Sequence, residues 1–221
     1  MGKRGPKPKN KVKIKWSPNF AYAIGLLTTD GCLSSDGRHI DLTSKDKEQL
    51  QNFLSCLEID SRIGTKHSSL GREYLRVQLG DVNFYKFLLT IGLMPRKTKI
   101  ISEVKIPDKY FFDFLRGHFD GDGSFYSYWD SRWRSSFMFY TVFASASKIH
   151  IDWLRNKIYE FLTINGHISK SVNSSVYQLK YAKTESLKLF PKLYYNDEVI
   201  CLRRKRLKIE KVFDIDCKHL D

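Results

Sequence analysis

Two aspartates in the same short pattern are the residues of this chain best suited to do chemistry. Asp30 and Asp122 each precede a glycine, follow another glycine (Gly25 or Gly117) by five positions and end an apolar stretch, and the copies are 92 residues apart. A single Asp-Gly pair is a common turn dipeptide, but two copies in this shared context predict paired helices that deliver two carboxylates to one point. Carboxylates that meet in this way repel each other when ionised, so a cation is expected between them.

The cation that suits such a site is a hard divalent ion, Mg²⁺ first, with Mn²⁺ and Ca²⁺ as substitutes. Shared with a phosphate oxygen, it can activate water and stabilise a leaving oxygen, which is the chemistry of phosphodiester hydrolysis. Lys97 and Lys205 follow the last predicted helix of each copy, and each is expected to stabilise developing phosphate charge or to polarise a water. Asp120 is a third carboxylate nearby; because its counterpart is Thr28, it is interpreted as support for the helix.

The elements that must position these residues also occur twice. Each copy reads helix, two strands, helix, two strands, helix, and this repeat predicts an α+β fold. Gly31 is expected in the left-handed conformation after the first helix, and Ser44 is expected to cap the second. In the second copy Ser147 is matched with Ser44, and Thr184 is expected to cap the following helix as Asp81 does in the first copy.

Alternating strand residues predict sheets with helices on one face and polar side chains on the other. Arginine and glutamine on such a face can form paired hydrogen bonds with guanine and adenine in the major groove. A solvated charged face is the alternative, and the excess of cations favours DNA contact. The candidate DNA-binding residues are Arg38, His39, Arg76, Gln78, Arg132, Arg134, Gln178 and Lys180. Matching Ser147 with Ser44 gives the second copy an eleven-residue extension of its first hairpin, which includes Trp129 and Trp133.

The bulk composition agrees with a globular protein that has a polyanionic partner. The 221 residues are 42% hydrophobic and carry a net charge of +14, which points to nucleic acid. The boundaries predicted from the repeat are a basic flexible arm over 1–15, a first half over 16–94, a linker over 95–109 and a second half over 110–221. The chain has no apolar run of about 18 residues and no secretory signal, so an intracellular location without membrane contact is expected. None of the four cysteines forms a Cys-x-x-Cys pair, so no zinc site is predicted.

Residues 23–31, reading AIGLLTTDG, and residues 115–123, reading LRGHFDGDG, resemble the motifs of the LAGLIDADG homing endonucleases in their monomeric two-motif form. The first motif departs from the family pattern at Thr28 and Thr29, and both motifs keep the final aspartate. The resemblance implies two pseudo-twofold-related αββαββα half-domains, with the motif helices at their interface and saddle-shaped antiparallel sheets facing DNA.

The resemblance also implies roles for particular residues. Asp30 and Asp122 match the catalytic, metal-binding acids, one for each DNA strand, and the main-chain carbonyls of Thr29 and Gly121 match positions that help to hold metal. Members cut both strands of DNA at a long site, which promotes the spread of an intron or intein. The differences between the two motifs and the extended hairpin of the second copy predict a non-palindromic target. A monomer that binds double-stranded DNA is expected, in the cytoplasm or nucleoid of a prokaryote or in a eukaryotic organelle. Two alternatives on the same fold are a catalytically silent DNA-binding regulator and an intron RNA maturase.

Overall fold

The computed structural model describes residues 10–67, 71–133, 136–170 and 174–217. Most of the predicted basic arm and the candidate DNA-binding residue Arg134 lie outside these ranges. No helix in the described part of the chain is both long enough and apolar enough to cross a membrane.

The described residues of the first half form three α-helices and one four-stranded sheet. The helices are α1 Pro18–Thr29, α2 Lys47–Cys56 and α3 Val82–Thr90. The strands are β1 Gly31–Leu33, β2 His39–Ser44, β3 Ile63–His67 and β4 Glu73–Gly80. The sheet is antiparallel throughout, in the order β1-β2-β4-β3.

The second half repeats this architecture and adds a final helix. The helices are α4 Phe111–Asp122, α5 Lys148–Leu162, α6 Lys183–Leu193 and α7 Arg203–Cys217. The strands are β5 Ser124–Trp129, β6 Phe137–Ser145, β7 His167–Lys170 and β8 Tyr177–Tyr181. They form an antiparallel sheet in the order β5-β6-β8-β7. The predicted α+β class, with two αββαββα repeats, is confirmed.

Two local predictions for the first half are wrong. Gly31 does not adopt a positive φ; it begins β1 directly after α1. A glycine is needed there for space, because a Cβ would lie 2.5 Å from the carbonyl oxygen of Leu27. The N-cap of α2 is Asp46, whose side chain accepts from the backbone N–H of Glu48. Ser44 is the last residue of β2 and accepts from the N–H of Asp46 instead.

The same correction applies to the second half. Ser147 does cap α5, but its counterpart is Asp46, and Ser145, which accepts from the N–H of Ser147, corresponds to Ser44. Since Ser145 is 22 positions after Gly123 and Ser44 is 13 after Gly31, the extension of the second hairpin is nine residues, not eleven. The predicted cap Thr184 lies inside α6, which has Ala182 at its N-cap and no side-chain capping bond.

One continuous hydrophobic core links the two halves. The segment predicted as a linker, residues 95–109, is packed into it: Ile101 and Val104 are buried. A short 3-10 turn at Lys97–Lys99 begins this segment, and a second at Asp108–Tyr110 leads into α4. The segment over residues 95–109 is therefore packed firmly enough to place side chains at the interface between the repeats.

Candidate functional site

Helices α1 and α4 pack against each other along the axis that relates the two repeats. Their contact is close because both carry glycine at the crossing point. A Cβ at Gly25 would lie 2.2 Å from the carbonyl oxygen of Phe114, and one at Gly117 would lie 2.1 Å from that of Tyr22. Glycine lets the two backbones touch where any side chain would force them apart.

The close crossing brings the two motif aspartates to the same end of the helix pair. Asp30 is the C-cap of α1, with its N–H bonded to the carbonyl of Leu26, and Asp122 is the last residue of α4. A Cβ at Gly121 would lie only 3.1 Å from Oδ2 of Asp30, so the first acid reaches across to the second helix. The predicted convergence of Asp30 and Asp122 is therefore seen in the geometry.

The surroundings of the two carboxylates disfavour their charged forms. Burial and then the charge of Asp122 raise the pKa of Asp30 from its usual value to about 6. Desolvation by the surrounding protein also raises the pKa of Asp122, although its side chain reaches solvent and both lysines act in the opposite direction. Asp30 is half-buried and Asp122 is exposed, so a ligand can reach both groups.

Gln49, in the first turn of α2, is a site residue that the sequence reasoning missed. Its Nε2 donates to Oδ2 of Asp30 at 2.6 Å, and its Oε1 accepts from Oγ of Ser44 at 2.6 Å. The serine therefore fixes the orientation of the amide, which in turn lowers the pKa of Asp30. The sequence offers one signal: Gln49 stands four residues before Phe53, in the apolar stripe of α2. The structure shows the consequence, since Gln49 is only 3% exposed.

The two predicted lysines lie beside the carboxylates. Each ammonium group is bonded to backbone carbonyl oxygens at the end of one motif helix. Lys97 Nζ donates to the carbonyl oxygens of Gly31 and, at 3.4 Å, of Thr29. Burial lowers the pKa of Lys97, and the charges of Asp122 and Asp30 oppose the shift.

Lys205 has the same relationship to α4, with more partners. Its Nζ donates to four carbonyl oxygens at 2.6 to 3.3 Å, which belong to Phe119, Asp120, Gly121 and Gly123. Burial lowers its pKa to about 8 against the opposing charge of Asp120. Both ammonium groups donate to carbonyl oxygens at the C-terminal ends of the motif helices, where the helix dipole favours a cation.

Asp120 is a structural acid and does not face the other two. It is buried, and its Oδ2 accepts from the hydroxyl of Tyr22 and from the N–H of Leu202, both at 2.7 Å. Burial raises its pKa to about 6, and both hydrogen bonds oppose that shift. The carboxylate thus ties α1 to the start of α7, the helix that carries Lys205.

Among its described residues, the second repeat has no copy of the Gln49 arrangement. His150 stands at the matching place, three residues after the helix cap, and its Nε2 lies 3.1 Å from Nε2 of His118. Its Nδ1 donates to the carbonyl of Ser102 at 2.6 Å. No side-chain hydrogen bond to Asp122 is found among the described residues, so the two acids are held differently.

Several candidate DNA-binding residues share the sheet face that lies away from the core. Arg76 and Gln78 alternate with the buried Val77 and Leu79 on β4. Gln178 and Lys180 occupy the equivalent places on β8, opposite Ala144 and Val142, as the sequence predicted.

The remaining candidates lie at the hairpins and already have protein partners. Arg38 and His39 follow a turn in which Asp36 accepts from both backbone N–H groups and contacts Nδ1 of His39. Arg132 forms an exposed ion pair with Asp130 at 3.3 Å.

The donor set at the helix ends fits a hard divalent cation in part. Among the described residues, no group of three or more His, Cys, Asp and Glu side chains converges to hold a metal. Two accessible carboxylates whose pKa values are raised are nevertheless suitable oxygen donors. The carbonyls of Thr29 and Gly121 lie beside them, and each accepts a long hydrogen bond from a lysine, at 3.4 and 3.3 Å.

Comparisons with known proteins agree with this architecture. Residues 17–92 match the family model of a LAGLIDADG-like domain. The homing endonuclease I-WcaI bound to its DNA recognition sequence is similar to the chain, with 16% identity and a TM-score of 0.60 over 93% of this chain and 94% of that one. Residues 17–92 are therefore a LAGLIDADG-like domain by sequence, and the chain as a whole has the fold of the LAGLIDADG homing endonucleases. No curated protein sequence matches it significantly.

The LAGLIDADG fold of the chain occurs both in homing endonucleases and in DUF199/WhiA. The I-LtrWI homing endonuclease bound to target DNA has 12% identity and a TM-score of 0.61, over 91% of both chains. Full-length DUF199/WhiA from Thermatoga maritima has 14% identity and a TM-score of 0.57 over 94% of this chain. The chain spans 64% of the length of that WhiA protein. These likenesses confirm the predicted fold, and the match of residues 17–92 supports the predicted family. They do not distinguish a protein that cuts DNA from one that only binds it.

Proposed function

We propose that the chain is a divalent-metal-dependent endonuclease that cuts both strands of a long, non-palindromic DNA site. The observation that carries the proposal is the convergence of Asp30 and Asp122, one from each repeat, beside Lys97 and Lys205. A merely structural pair of helix ends gains nothing from two accessible carboxylates with raised pKa values, one of which is raised in part by the charge of the other.

Duplex DNA is the substrate that the symmetry of the site favours. Two acids related by a pseudo-twofold axis match the antiparallel strands of a duplex, one acid for each strand. The net charge of +14 supplies attraction to the phosphates, and the sheet faces present Arg76, Gln78, Gln178 and Lys180 for base contact.

Asp30 and Asp122 would hold Mg²⁺, with help from the carbonyls of Thr29 and Gly121. The chemistry that such an ion supplies is polarisation of a water and neutralisation of phosphate charge. Mn²⁺ is a reasonable substitute, since a structure of an I-DmoI variant with its target DNA was obtained in the presence of Mn. Lys97 and Lys205 keep positive charge beside the scissile phosphates, and Gln49 fixes the orientation of Asp30.

A binding-only protein is the second candidate, because WhiA has the same fold. The alternative predicts sequence-specific binding without cleavage in any divalent ion. In this chain both motif acids are present and accessible, whereas a purely binding protein has no need of them. The geometry therefore favours cleavage.

The test uses a library of random duplexes, the wild-type protein and two single variants. Wild type in Mg²⁺ should release double-strand ends at one family of sites and none in EDTA. Asp30→Asn and Asp122→Asn should each abolish double-strand cleavage and leave binding to the selected site largely intact. Thermal melting checks that both variants are folded. If the variants still linearise a plasmid that carries the site, the assignment of the acids is wrong; if wild type binds the site and never cuts, the binding-only function holds.

A further inference from the structure

The second sheet carries an aromatic surface on the face away from the core. The strand register places Tyr126 opposite Tyr140, and Tyr128 opposite Met138. All of these residues alternate with core residues such as Phe125 and Phe139. We call Tyr126, Tyr128 and Tyr140 the tyrosine ladder.

The ladder rings stack on one another and remain open to solvent. The Tyr126 and Tyr140 ring centroids are 5.4 Å apart with planes inclined by 18°, and those of Tyr128 and Tyr140 are 6.2 Å apart with planes inclined by 4°. Tyr126 is 38% exposed and Tyr128 is 44% exposed. The rings are therefore held in place by stacking on one another while they remain accessible to a partner.

The first repeat has polar side chains at the corresponding places. Lys180 pairs with Val142 as Gln78 pairs with Asp41, so Val142 corresponds to Asp41. On the same strand face, Tyr140 stands where the first repeat has His39, and Ala144 stands where it has Thr43. On this face the central strand thus has polar residues in the first sheet and aromatic or aliphatic residues in the second, with Asp41 and Val142 buried at the equivalent place in each.

The partner of this surface has to combine apolar groups with negative charge. Gln178, Lys180 and His167 share the face with the ladder, and the chain as a whole is strongly basic. In the major groove of duplex DNA the thymine C5-methyl is the apolar group among the base edges, set between phosphate backbones. Duplex DNA with thymine in the groove satisfies both requirements.

We propose that the tyrosine ladder reads thymine methyl groups, so that the half-site bound by the second repeat is rich in thymine and the half-site bound by the first is not. This inference rests on the proposed function in that it needs duplex DNA to lie on the sheet faces. It adds which repeat reads which kind of base edge. Ala144 extends the apolar surface along the central strand, and Lys180 holds the adjoining backbone.

The experiment replaces thymidine by deoxyuridine, which removes only the methyl group. Sites are first selected from random duplexes with the Asp30→Asn/Asp122→Asn protein, which keeps them uncut. Duplexes with deoxyuridine in one half or in the other are then titrated at one fixed salt concentration, because affinity depends strongly on salt. In one half, each methyl that contacts the ladder should weaken binding by about fourfold when removed. In the other half the change should stay below about twofold, since polar contacts are unaffected by the methyl.

Ladder variants identify which repeat is responsible. Tyr126→Ser/Tyr128→Ser should lose the discrimination between thymidine and deoxyuridine, whereas the matched Tyr126→Phe/Tyr128→Phe, which keeps the rings, should retain it. His39→Ala, at the equivalent place in the first repeat, should also retain it. Both tyrosines are exposed, so the variants are expected to fold, and thermal melting verifies this.

Each other result counts against the inference. A selected site without thymine in either half, equal sensitivity in both halves, or sensitivity that survives the serine variant would overturn it while leaving DNA binding in place. Failure to select any duplex, with single-stranded RNA bound through the same tyrosines, would overturn the inference and the proposed function together.

Discussion

The side-chain amide of Gln49 donates a 2.6 Å hydrogen bond to Oδ2 of Asp30. His150, at the matching place in the second repeat, bonds to His118 instead. One acid is therefore oriented by a neutral donor, and the other acid has no such support among the described residues. The two halves of the site are built to hold their carboxylates differently.

The first prediction concerns Gln49→Ala. Loss of the amide leaves Asp30 free to rotate, so cleavage of the strand that it serves should slow by about 10- to 100-fold, as is usual when a residue that orients a ligand is removed. The other strand should be cut nearly as fast, and nicked plasmid should accumulate. Strand-specific end labelling measures both rates, and loss of cutting in Asp30→Asn identifies the strand. Ser44→Ala is the milder control, because it keeps the bond from Gln49 to Asp30 and removes only the bonds that Oγ makes to Oε1 of Gln49 and to the N–H of Asp46. Equal slowing of both strands would refute the prediction.

The second prediction concerns the helix crossing. Gly25→Ala and Gly117→Ala each place a methyl about 2 Å from a backbone carbonyl of the partner helix, and neither helix backbone can yield locally. Each should lower the free energy of unfolding by about 3 kcal/mol or more, at the upper end of overpacking costs. Urea denaturation measures the change.

Gly64→Ala is the matched control for the helix crossing. A Cβ at Gly64 meets nothing closer than 4.0 Å, so its effect should stay within about 1 kcal/mol. A comparable loss in all three variants would show that close packing of α1 and α4 is not the cause.

Much of the fold follows from local patterns in the sequence. The duplicated Gly-x4-Asp-Gly spacing, the strand alternation around Val77 and the capping residue Asp81 are each readable from a few neighbours along the chain. Capping is less secure when two candidates stand close together. Ser44 and Asp46 are both good caps, and choosing the first shifted the alignment of the repeats by two residues.

The contacts that complete the site could not be predicted in the same way. Gln49 meets Asp30, and Tyr22 meets Asp120, only after the sheets and helices have packed. Neither pair has a periodic spacing. The lysines were found from their repeated placement, but that placement did not reveal that each ammonium is enclosed by the carbonyls at a helix end. Tertiary packing, which the sequence does not display, decides these contacts.

The third prediction tests the buried link from Tyr22 to Asp120. Tyr22→Phe keeps the ring, over which the guanidinium of Arg116 lies, but leaves a buried carboxylate with one hydrogen bond fewer. Stability should fall by about 2 kcal/mol, in the range for hydrogen bonds to charged groups. Tyr85→Phe is the control, because it loses a 2.6 Å bond to the neutral carbonyl of Ser34 and should cost about 1 kcal/mol. Equal losses, measured by urea denaturation at pH 7.5, would show that the Asp120 carboxylate has no special role.

The last prediction concerns pH and the His118–His150 pair. Burial lowers the pKa of His150 to about 4, and burial together with His150 lowers that of His118. Both rings are then neutral at pH 7: Nδ1 of His150 donates to the carbonyl of Ser102, so its Nε2 accepts from Nε2–H of His118. The charges that face the pair are Lys97 and Lys205, which also oppose protonation.

In the unfolded chain the two imidazoles take up protons near pH 6.5, whereas in the folded protein they do so only at lower pH. The pair therefore contributes its full stability above pH 6.5. The benefit should be lost as the pH falls from about 6.5 towards 4, by up to about 1.4 kcal/mol per pH unit for each ring. His118→Leu/His150→Gln, which installs the residues of the first repeat, should flatten this part of the pH profile. Asp120 titrates in the same window with the opposite sign, and the difference between wild type and variant cancels its contribution. Urea denaturation at pH 7.5, 6 and 5 gives the profile, and parallel losses in both proteins would show that the histidine pair does not govern acid stability.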